Sequence, residues 1–247
     1  MPEPRVVVLD TPDNVASQGA DEFEVRARAA ITEHGRFAVA LSGGTTPRAM
    51  FSLLASPGFA EDIDWRRVHF FWADERCVPP DDGRSNYGEA LKALLAPIEM
   101  PASNIHRMRG ELDPHSGAVD YCEQLAAFFG GDVAFDLIYL GLGPDGHTAS
   151  LFPGSPVLSI TDEMCAAVHV PDNAVAPWRL TLTYPVLNAA RCAMFLIEGK
   201  EKADVLARVL EGPRDIQRLP AQGVAPVHGS LVWLVDKLAA VQLRSHA

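Results

Sequence analysis

The chain has 247 residues, of which 48% are hydrophobic and 21% are charged, and its formal net charge at pH 7 is −11. This acidic balance argues against a nucleic-acid partner, because phosphate backbones attract surfaces rich in Lys and Arg. No apolar run approaches the ~20 residues that a bilayer-spanning helix needs, and the first residues lack the basic and apolar regions of a secretory signal. We therefore expect a globular cytoplasmic protein without a membrane or nucleic-acid partner.

Short apolar strands alternate with amphipathic helices along the chain. In chain order, strands are predicted at 5–9, 37–41, 68–72, 105–108 and 135–142, near 167–170, 180–184 and 193–198, and at 232–235. Helices are predicted at 15–34, 47–54, 86–95, 115–129 and 200–210. The almost continuously apolar run 135–142 is typical of a central strand covered on both faces. The alternation predicts an α/β fold, a mainly parallel sheet with helices on both faces in three layers, as one domain over 1–247.

Ligands in such sheets bind outside the carboxyl ends of the strands. The first strand end of interest is the loop Ser42, Gly43, Gly44, Thr45 and Thr46, which follows the strand 37–41. Its glycines allow a tight turn with accessible N–H groups, and the following helix start attracts anions. The loop matches neither the Walker nor the dinucleotide-binding pattern. It predicts either a phosphate cradle or a plain strand-to-helix turn with a capping threonine.

The second strand end carries three consecutive charges, Asp74, Glu75 and Arg76, directly after the strand 68–72. Charges of this kind are costly to bury without partners, so they lie either on the surface or in a polar cleft. In a cleft, an arginine binds phosphate or carboxylate through two parallel hydrogen bonds.

The third strand end is the glycine-rich segment 140–154, which presents Asp145 and His147. Histidine has an unperturbed pKa of about 6.5 and can take a proton from water near neutral pH. We therefore predict a catalytic role for His147, oriented by Asp145. The other histidines are expected to be structural or exposed: His34, His69, His106, His115, His169, His228 and His246. No serine lies in a nucleophile elbow and no histidine pair has metal-ligand spacing, so neither a serine hydrolase nor a zinc hydrolase is indicated.

In this order, the segments resemble the 6-phosphogluconolactonase family over residues 7–238. The resemblance rests on ALSGGTTP (40–47), WADERCVP (72–79), SNYGEA (85–90), LGLGPDGHTASLFPG (140–154), RLTLTYPVLNAAR (179–191), EGKEKADVL (198–206) and WLVDKLAA (233–240). The related glucosamine-6-phosphate deaminases share the first loop and an Asp-Gly-His turn. Their turn continues to a glutamate that helps to open the sugar ring, and Phe152 stands in its place here. This difference favours the lactonase.

The resemblance implies a Rossmann-like fold and hydrolysis of 6-phospho-D-glucono-1,5-lactone in the oxidative pentose phosphate pathway, with no metal or organic cofactor. It makes His147 the general base, with Asp145 beside it. Asp74 and Arg76 would line the cleft, where Arg76 serves either the oxyanion or the phosphate. Residues 42–46 would cradle the phosphate end. Arg179 and Lys202 match basic positions that face the phosphate.

Two other functions remain open at this point. One is amino-sugar phosphate deamination or aldose–ketose isomerisation, against which the missing glutamate argues. The other is a sugar-phosphate sensor without catalysis, for which the sequence before residue 9 leaves no helix-turn-helix segment. We expect a monomer.

Overall fold

Within residues 4–170 and 176–244, which the computed structural model describes, nine strands form two sheets. The strands are β1 (Arg5–Leu9), β2 (Phe37–Leu41), β3 (Val68–Trp72), β4 (Asp74–Arg76), β5 (Leu137–Leu140), β6 (Cys165–His169), β7 (Trp178–Leu182), β8 (Cys192–Ile197) and β9 (Ser230–Asp236). The helices are α1 (Pro12–His34), α2 (Thr45–Leu54), α3 (Pro57–Asp62), α4 (Asn86–Ala90), α5 (Pro114–Phe129), α6 (Tyr184–Ala189) and α7 (Ala203–Glu211). His246 lies outside the described residues.

The larger sheet has six strands in the order β1-β9-β8-β5-β2-β3, and every neighbouring pair is parallel. All residues of β2 and β5 are buried, as the apolar runs at these positions predict. Parallel strands that are apolar on both faces need helices on both sides of the sheet. The predicted α/β fold with a mainly parallel sheet is confirmed.

Helix α1 shows how local sequence sets one of these elements. The side chain of Thr11 accepts a hydrogen bond from the backbone of Asn14, and Pro12 occupies the first helical turn. Gly35, with φ of 83°, ends the helix in the left-handed conformation that glycine adopts most readily. Buried positions such as Phe23 and Ala27 recur at helical spacing. The helix therefore presents one apolar stripe to the sheet.

A smaller antiparallel sheet, in the order β4-β7-β6, was not predicted from the sequence. The chain passes from β3 into β4 through Ala73, whose N–H donates to the carbonyl of Leu41 at 2.8 Å. The carbonyl of Ala73 accepts from the N–H of Leu182 at 2.8 Å, so one residue joins the two sheets. The charged segment 74–76 is therefore a strand rather than a loop.

Two further sequence predictions differ from the structure. The predicted strand 105–108 is reduced to one bridge between Phe70 and Ile105, next to a hydrogen bond from the N–H of His106 to Phe70. The predicted helix 86–95 is α-helical only over α4, and a π-turn follows at Leu91–Leu95. The two short helices α3 and α6 were not predicted, although each has a proline in its first two positions.

None of the described helices is long and apolar enough to cross a membrane.

Candidate active site

The strand order reverses its direction between β2 and β5. From β2 the chain moves outward to β3, whereas from β5 it moves the other way to β8 and β9. Such a reversal opens a crevice at the carboxyl ends of the two strands, where open α/β sheets bind their ligands. Ser42 follows β2 at this point, and its hydroxyl donates to the carbonyl of Tyr139 in β5 at 2.8 Å.

A cleft of about 410 Å³ opens at this crevice. Its lining includes most of the predicted site residues, namely Ser42, Gly43, Asp74, Arg76, His147, Arg179 and Lys202. Residues from the ends of β2 and β5 and from the smaller sheet contribute to it together. The three charged or glycine-rich strand ends of the sequence therefore converge on one site.

His147 and Asp145 form a close pair at the cleft. The Nδ1 atom of His147 lies 2.6 Å from Oδ1 of Asp145, and the same carboxylate oxygen accepts the backbone N–H of His147 at 3.1 Å. Partial burial alone would raise the pKa of Asp145, but the hydrogen bonds and charge of His147 outweigh it and hold that pKa below its usual value. A charged Asp145 binds the proton on Nδ1, which leaves Nε2 as the free base of the ring.

The turn that carries His147 is closely packed. The imidazole lies against Gly143, where an added Cβ would stand 2.0 Å from Nδ1 of the histidine. The ring of Phe152 contacts the other side, with centroids 4.4 Å apart. Ala149 adopts a φ of 47°, which costs energy for any residue other than glycine. Strained backbone of this kind is found at functional sites, where the surrounding structure holds it.

Asp74 is buried and both of its carboxylate oxygens have a partner. Oδ2 accepts from the hydroxyl of Ser150 at 2.7 Å. Oδ1 accepts from the side-chain amide of Asn86 at 3.2 Å, and the same amide donates to the carbonyl of Asp74 at 2.9 Å. Ser150 belongs to the His147 turn, so these bonds connect β4 directly to the segment that carries the histidine.

Three cations line the cleft, and two of them are cross-strand neighbours. Arg76 of β4 stands opposite Arg179 of β7 in the antiparallel register, and Lys202 lies on the cleft wall beyond them. Burial, together with the nearby charge of Arg76, lowers the pKa of Arg179. The Nη1 atom of Arg179 has no hydrogen-bond partner in the described part of the chain. Like charges held side by side are unfavourable without an anion, so this wall is suited to bind one.

The loop 42–46 is divided between two places. Ser42 and Gly43 line the cleft, whereas Gly44 and Thr46 do not, and Thr45 lines an adjoining cavity. Acidic side chains already contact the start of α2: the hydroxyl of Thr45 donates to Glu198 at 2.6 Å, and the N–H of Gly44 donates to Glu89 at 3.3 Å. The predicted role of Gly44, Thr45 and Thr46 in binding phosphate stays a prediction.

Comparison with known proteins supports one family. Residues 10–233 match the family model described as glucosamine-6-phosphate isomerases/6-phosphogluconolactonase. A Haemophilus influenzae protein named 6-phosphogluconolactonase is 37% identical over 96% of this chain and 98% of its own length. A Rattus norvegicus protein of the same name is 37% identical over 97% and 94%, respectively. The chain belongs to this family.

Solved structures of the 6-phosphogluconolactonases share the whole architecture. The enzyme from Trypanosoma cruzi superposes with a TM-score of 0.85 at 28% identity, over 98% of this chain and 97% of that one. The structure from Thermotoga maritima gives a TM-score of 0.80 at 29% identity, over 95% and 100%. The family that the sequence motifs predict is confirmed by these comparisons.

Sequence reasoning assigned no role to Asn86 and Ser150, which line this lactonase-family cleft, or to Glu75, which is buried outside the lining. Each lies inside a segment that the resemblance quotes, so a signal was present. Their importance follows from hydrogen bonds between segments distant in sequence, which motif reading does not provide. The structure places Lys202, and not Lys200, in the lining of the cleft.

No group of three or more His, Cys, Asp or Glu side chains is arranged to hold a metal ion in residues 4–170 and 176–244. The cleft itself offers one histidine paired with an aspartate, and three cations.

Proposed function

We propose that this chain hydrolyses 6-phospho-D-glucono-1,5-lactone to 6-phosphogluconate by direct attack of a water molecule that His147 activates. The observation that carries the proposal is the Asp145–His147 pair, with Nδ1 and Oδ1 2.6 Å apart, whose histidine lines the same cleft as three cations. A lactone is an activated ester, so a positioned base, a polarising group and a firm hold on the phosphate are sufficient for its hydrolysis.

The reaction begins when Nε2 of His147 removes a proton from water while the resulting hydroxide adds to the lactone carbonyl. Asp145 stabilises the imidazolium that forms, because its carboxylate accepts the proton on Nδ1. The tetrahedral intermediate then collapses, the bond from the carbonyl carbon to the ring oxygen breaks, and His147 returns the proton to that oxygen. The product is an open-chain sugar acid.

The cations serve the two anionic parts of the substrate. Arg76, Arg179 and Lys202 together offer more positive charge than one phosphate requires. One guanidinium therefore stabilises the negative charge that develops on the carbonyl oxygen, and the remaining cations bind the phosphate. Such fixed charges accelerate the reaction because they need no reorganisation as the charge develops.

Phe152 separates this proposal from the deaminase alternative. Its ring packs on the imidazole of His147, with centroids 4.4 Å apart, in the position where the deaminases have a glutamate. An aromatic ring transfers no protons, so the site lacks the group that would assist ring opening. Release of ammonia from glucosamine 6-phosphate by the purified protein would instead favour the deaminase.

The decisive test follows freshly prepared 6-phosphogluconolactone in a coupled assay with 6-phosphogluconate dehydrogenase and a chelator. We expect a rate far above spontaneous opening, and a loss of about 10²–10⁴-fold in His147→Ala, which is the usual contribution of one acid–base group. The matched control is His228→Ala, which replaces an exposed histidine and is expected to leave the rate unchanged. Near-normal turnover in His147→Ala would remove this residue from the mechanism.

A further inference from the structure

We propose that Glu75 is a positioning residue that holds both of its neighbours, Asp74 and Arg76, in place through the loop 84–87. The inference rests on the proposed function, because it concerns the same cleft. Glu75 itself does not line the cleft, whereas Asp74 and Arg76 do. Successive side chains of a strand point to opposite faces, so residues 74 and 76 share one face of β4 and Glu75 projects from the other.

Glu75 is almost fully buried, with 2% of its surface exposed, and it forms no ion pair with any residue that the structure describes. Its carboxylate instead accepts four hydrogen bonds. Oε1 accepts from the N–H groups of Arg76 at 2.7 Å and Asn86 at 2.8 Å. Oε2 accepts from the N–H of Tyr87 at 2.8 Å and the hydroxyl of Ser85 at 3.0 Å. Three of the four donors belong to residues 85–87.

The loop that Glu75 holds is the loop on which both neighbours depend. The guanidinium of Arg76 donates through Nη1 to the carbonyl of Arg84 at 2.6 Å. The side-chain amide of Asn86 donates to both the carbonyl and the carboxylate of Asp74. One buried carboxylate thus fixes the loop, and the loop fixes one acidic and one basic side chain of the cleft.

The carboxylate cannot be replaced without loss. Burial raises the pKa of Glu75 although all four hydrogen bonds oppose the rise. The hydrogen bonds therefore offset only part of the cost of burying this charge without a cation. They still need the carboxylate, because an apolar or smaller side chain would leave the backbone N–H groups of the loop without acceptors. Glutamine has the same shape but only one acceptor oxygen, so its NH₂ group would face at least one backbone donor.

The test is the substitution Glu75→Gln, with kcat and KM measured for the lactone and Kd measured calorimetrically for 6-phosphogluconate. We expect kcat/KM to fall roughly 10–100-fold, the effect of a small misplacement of groups that contact the substrate. The matched control is Asp136→Asn, at the opposite end of β5. Asp136 is also a buried carboxylate that accepts a backbone N–H, that of Ala38 at 2.8 Å, and unlike Glu75 it has ionic partners, His34 and Arg191. This control lowers the melting temperature but leaves kcat/KM within about twofold, because distant sites act independently.

A double-mutant cycle separates positioning from simple stability. If Glu75 acts through Arg76, the loss caused by Glu75→Gln becomes much smaller in the background Arg76→Ala. The same loss in both backgrounds, or a lower melting temperature with unchanged kinetics and Kd, would overturn the proposal. Should Glu75→Gln not fold, Ser85→Ala removes one of the four donors, together with the acceptor for the N–H of Gly88, and is expected to act in the same direction with a smaller effect. A wild-type protein without lactonase activity would refute the proposed function instead, and the Kd would still report on Glu75.

Discussion

The imidazole of His147 owes its position to the absence of a side chain at residue 143. An added Cβ at Gly143 would stand 2.0 Å from Nδ1 and 2.1 Å from Cε1 of His147, well inside contact distance. The backbone there is also fixed, because the N–H of Gly143 donates to the carbonyl of His147 at 2.8 Å. Phe152 packs on the ring as well, with centroids 4.4 Å apart.

We therefore expect Gly143→Ala to displace the imidazole from Asp145 and to lower kcat roughly 10²-fold, the effect of a shift of about 1 Å at a reacting group. The measurement is steady-state hydrolysis of the lactone above its spontaneous rate. The matched control is Gly58→Ala in α3, where an added Cβ meets no atom within 4 Å. Equal activity of the two variants would show that the imidazole tolerates movement.

At this scale, the sequence predicts candidate site residues but not the residues that hold them in place. Asp145 and His147 were identified from two positions within one turn, and the structure brings them together. Ser150 is only three residues farther on, but its role depends on Asp74, which is 76 positions away along the chain. Contacts of that separation are set by the strand order, and residue spacing contains no record of them.

At the scale of elements, a pair of histidines lies at β3, the edge strand of the larger sheet: His69 belongs to the strand, and His106 follows the bridge from Ile105 to Phe70. Nδ1 of His69 lies 3.3 Å from Nε2 of His106, and the ring of His106 stacks on Phe71 with centroids 4.3 Å apart. Arg36 lies over the ring of Phe128 in the same cluster. Burial, reinforced by the charge on His69, lowers the pKa of His106 to about 4, and burial together with Arg36 lowers the pKa of His69.

These shifts predict acid sensitivity of the fold. A histidine in the unfolded chain has a pKa of about 6.5, so below that pH the unfolded chain binds protons that the folded cluster does not bind. Acid therefore favours the unfolded state. The contribution is complete above pH 6.5 and is lost as the pH falls towards the folded pKa of His106, about 4. We expect the melting temperature to fall between about pH 6.5 and pH 5, before most carboxylates titrate.

The variant His106→Phe keeps an aromatic ring against Phe71 and should show a smaller fall over the same range. The control is His228→Ala, which replaces an exposed histidine; its melting temperature should follow the wild-type pH profile. An identical fall in wild type and His106→Phe would assign the acid sensitivity to other groups.

The elements also show where pattern reading reaches its limit. Strands β2 and β5 were predicted because they are apolar throughout and buried on both faces. Strand β4 consists of Asp74, Glu75 and Arg76, a composition that β-propensity disfavours. It pairs with β7 because Ala73 joins both sheets and because each charged side chain has polar surroundings. Asp74 and Arg76 line the cleft, and Glu75 accepts hydrogen bonds from the loop 84–87. Tertiary context therefore outweighs propensity at the site itself.

At the scale of the whole molecule, net charge and local charge have opposite signs. The chain carries a formal charge of −11, yet its cleft gathers Arg76, Arg179 and Lys202. Charges farther apart than the Debye length of about 10 Å at 0.1 M salt are largely screened, so the cations nearest the ligand dominate its binding. The composition could not indicate which basic residues meet in space.

The two sheets are expected to unfold together, as the prediction of one domain over 1–247 requires. Ala73 donates to Leu41 of the larger sheet and accepts from Leu182 of the smaller one, so the junction consists of backbone hydrogen bonds. The buried hydroxyl of Tyr121 in α5 adds a second connection, because it accepts from the N–H of Trp72 at 2.9 Å and donates to its carbonyl at 3.0 Å. Helix α5 itself packs on β6 and β7 of the smaller sheet.

Urea unfolding followed by far-UV and near-UV circular dichroism should therefore give coincident transitions, the mark of a two-state process. Tyr121→Phe leaves both polar groups of Trp72 without their buried partner, which is expected to cost about 1–3 kcal/mol. Because the connection serves both sheets, both signals should shift by the same amount. An early loss of protection in β6 and β7 by hydrogen exchange, with the larger sheet still protected, would instead define the smaller sheet as a separate folding unit, and the cations of the cleft would then be held by two units of different stability.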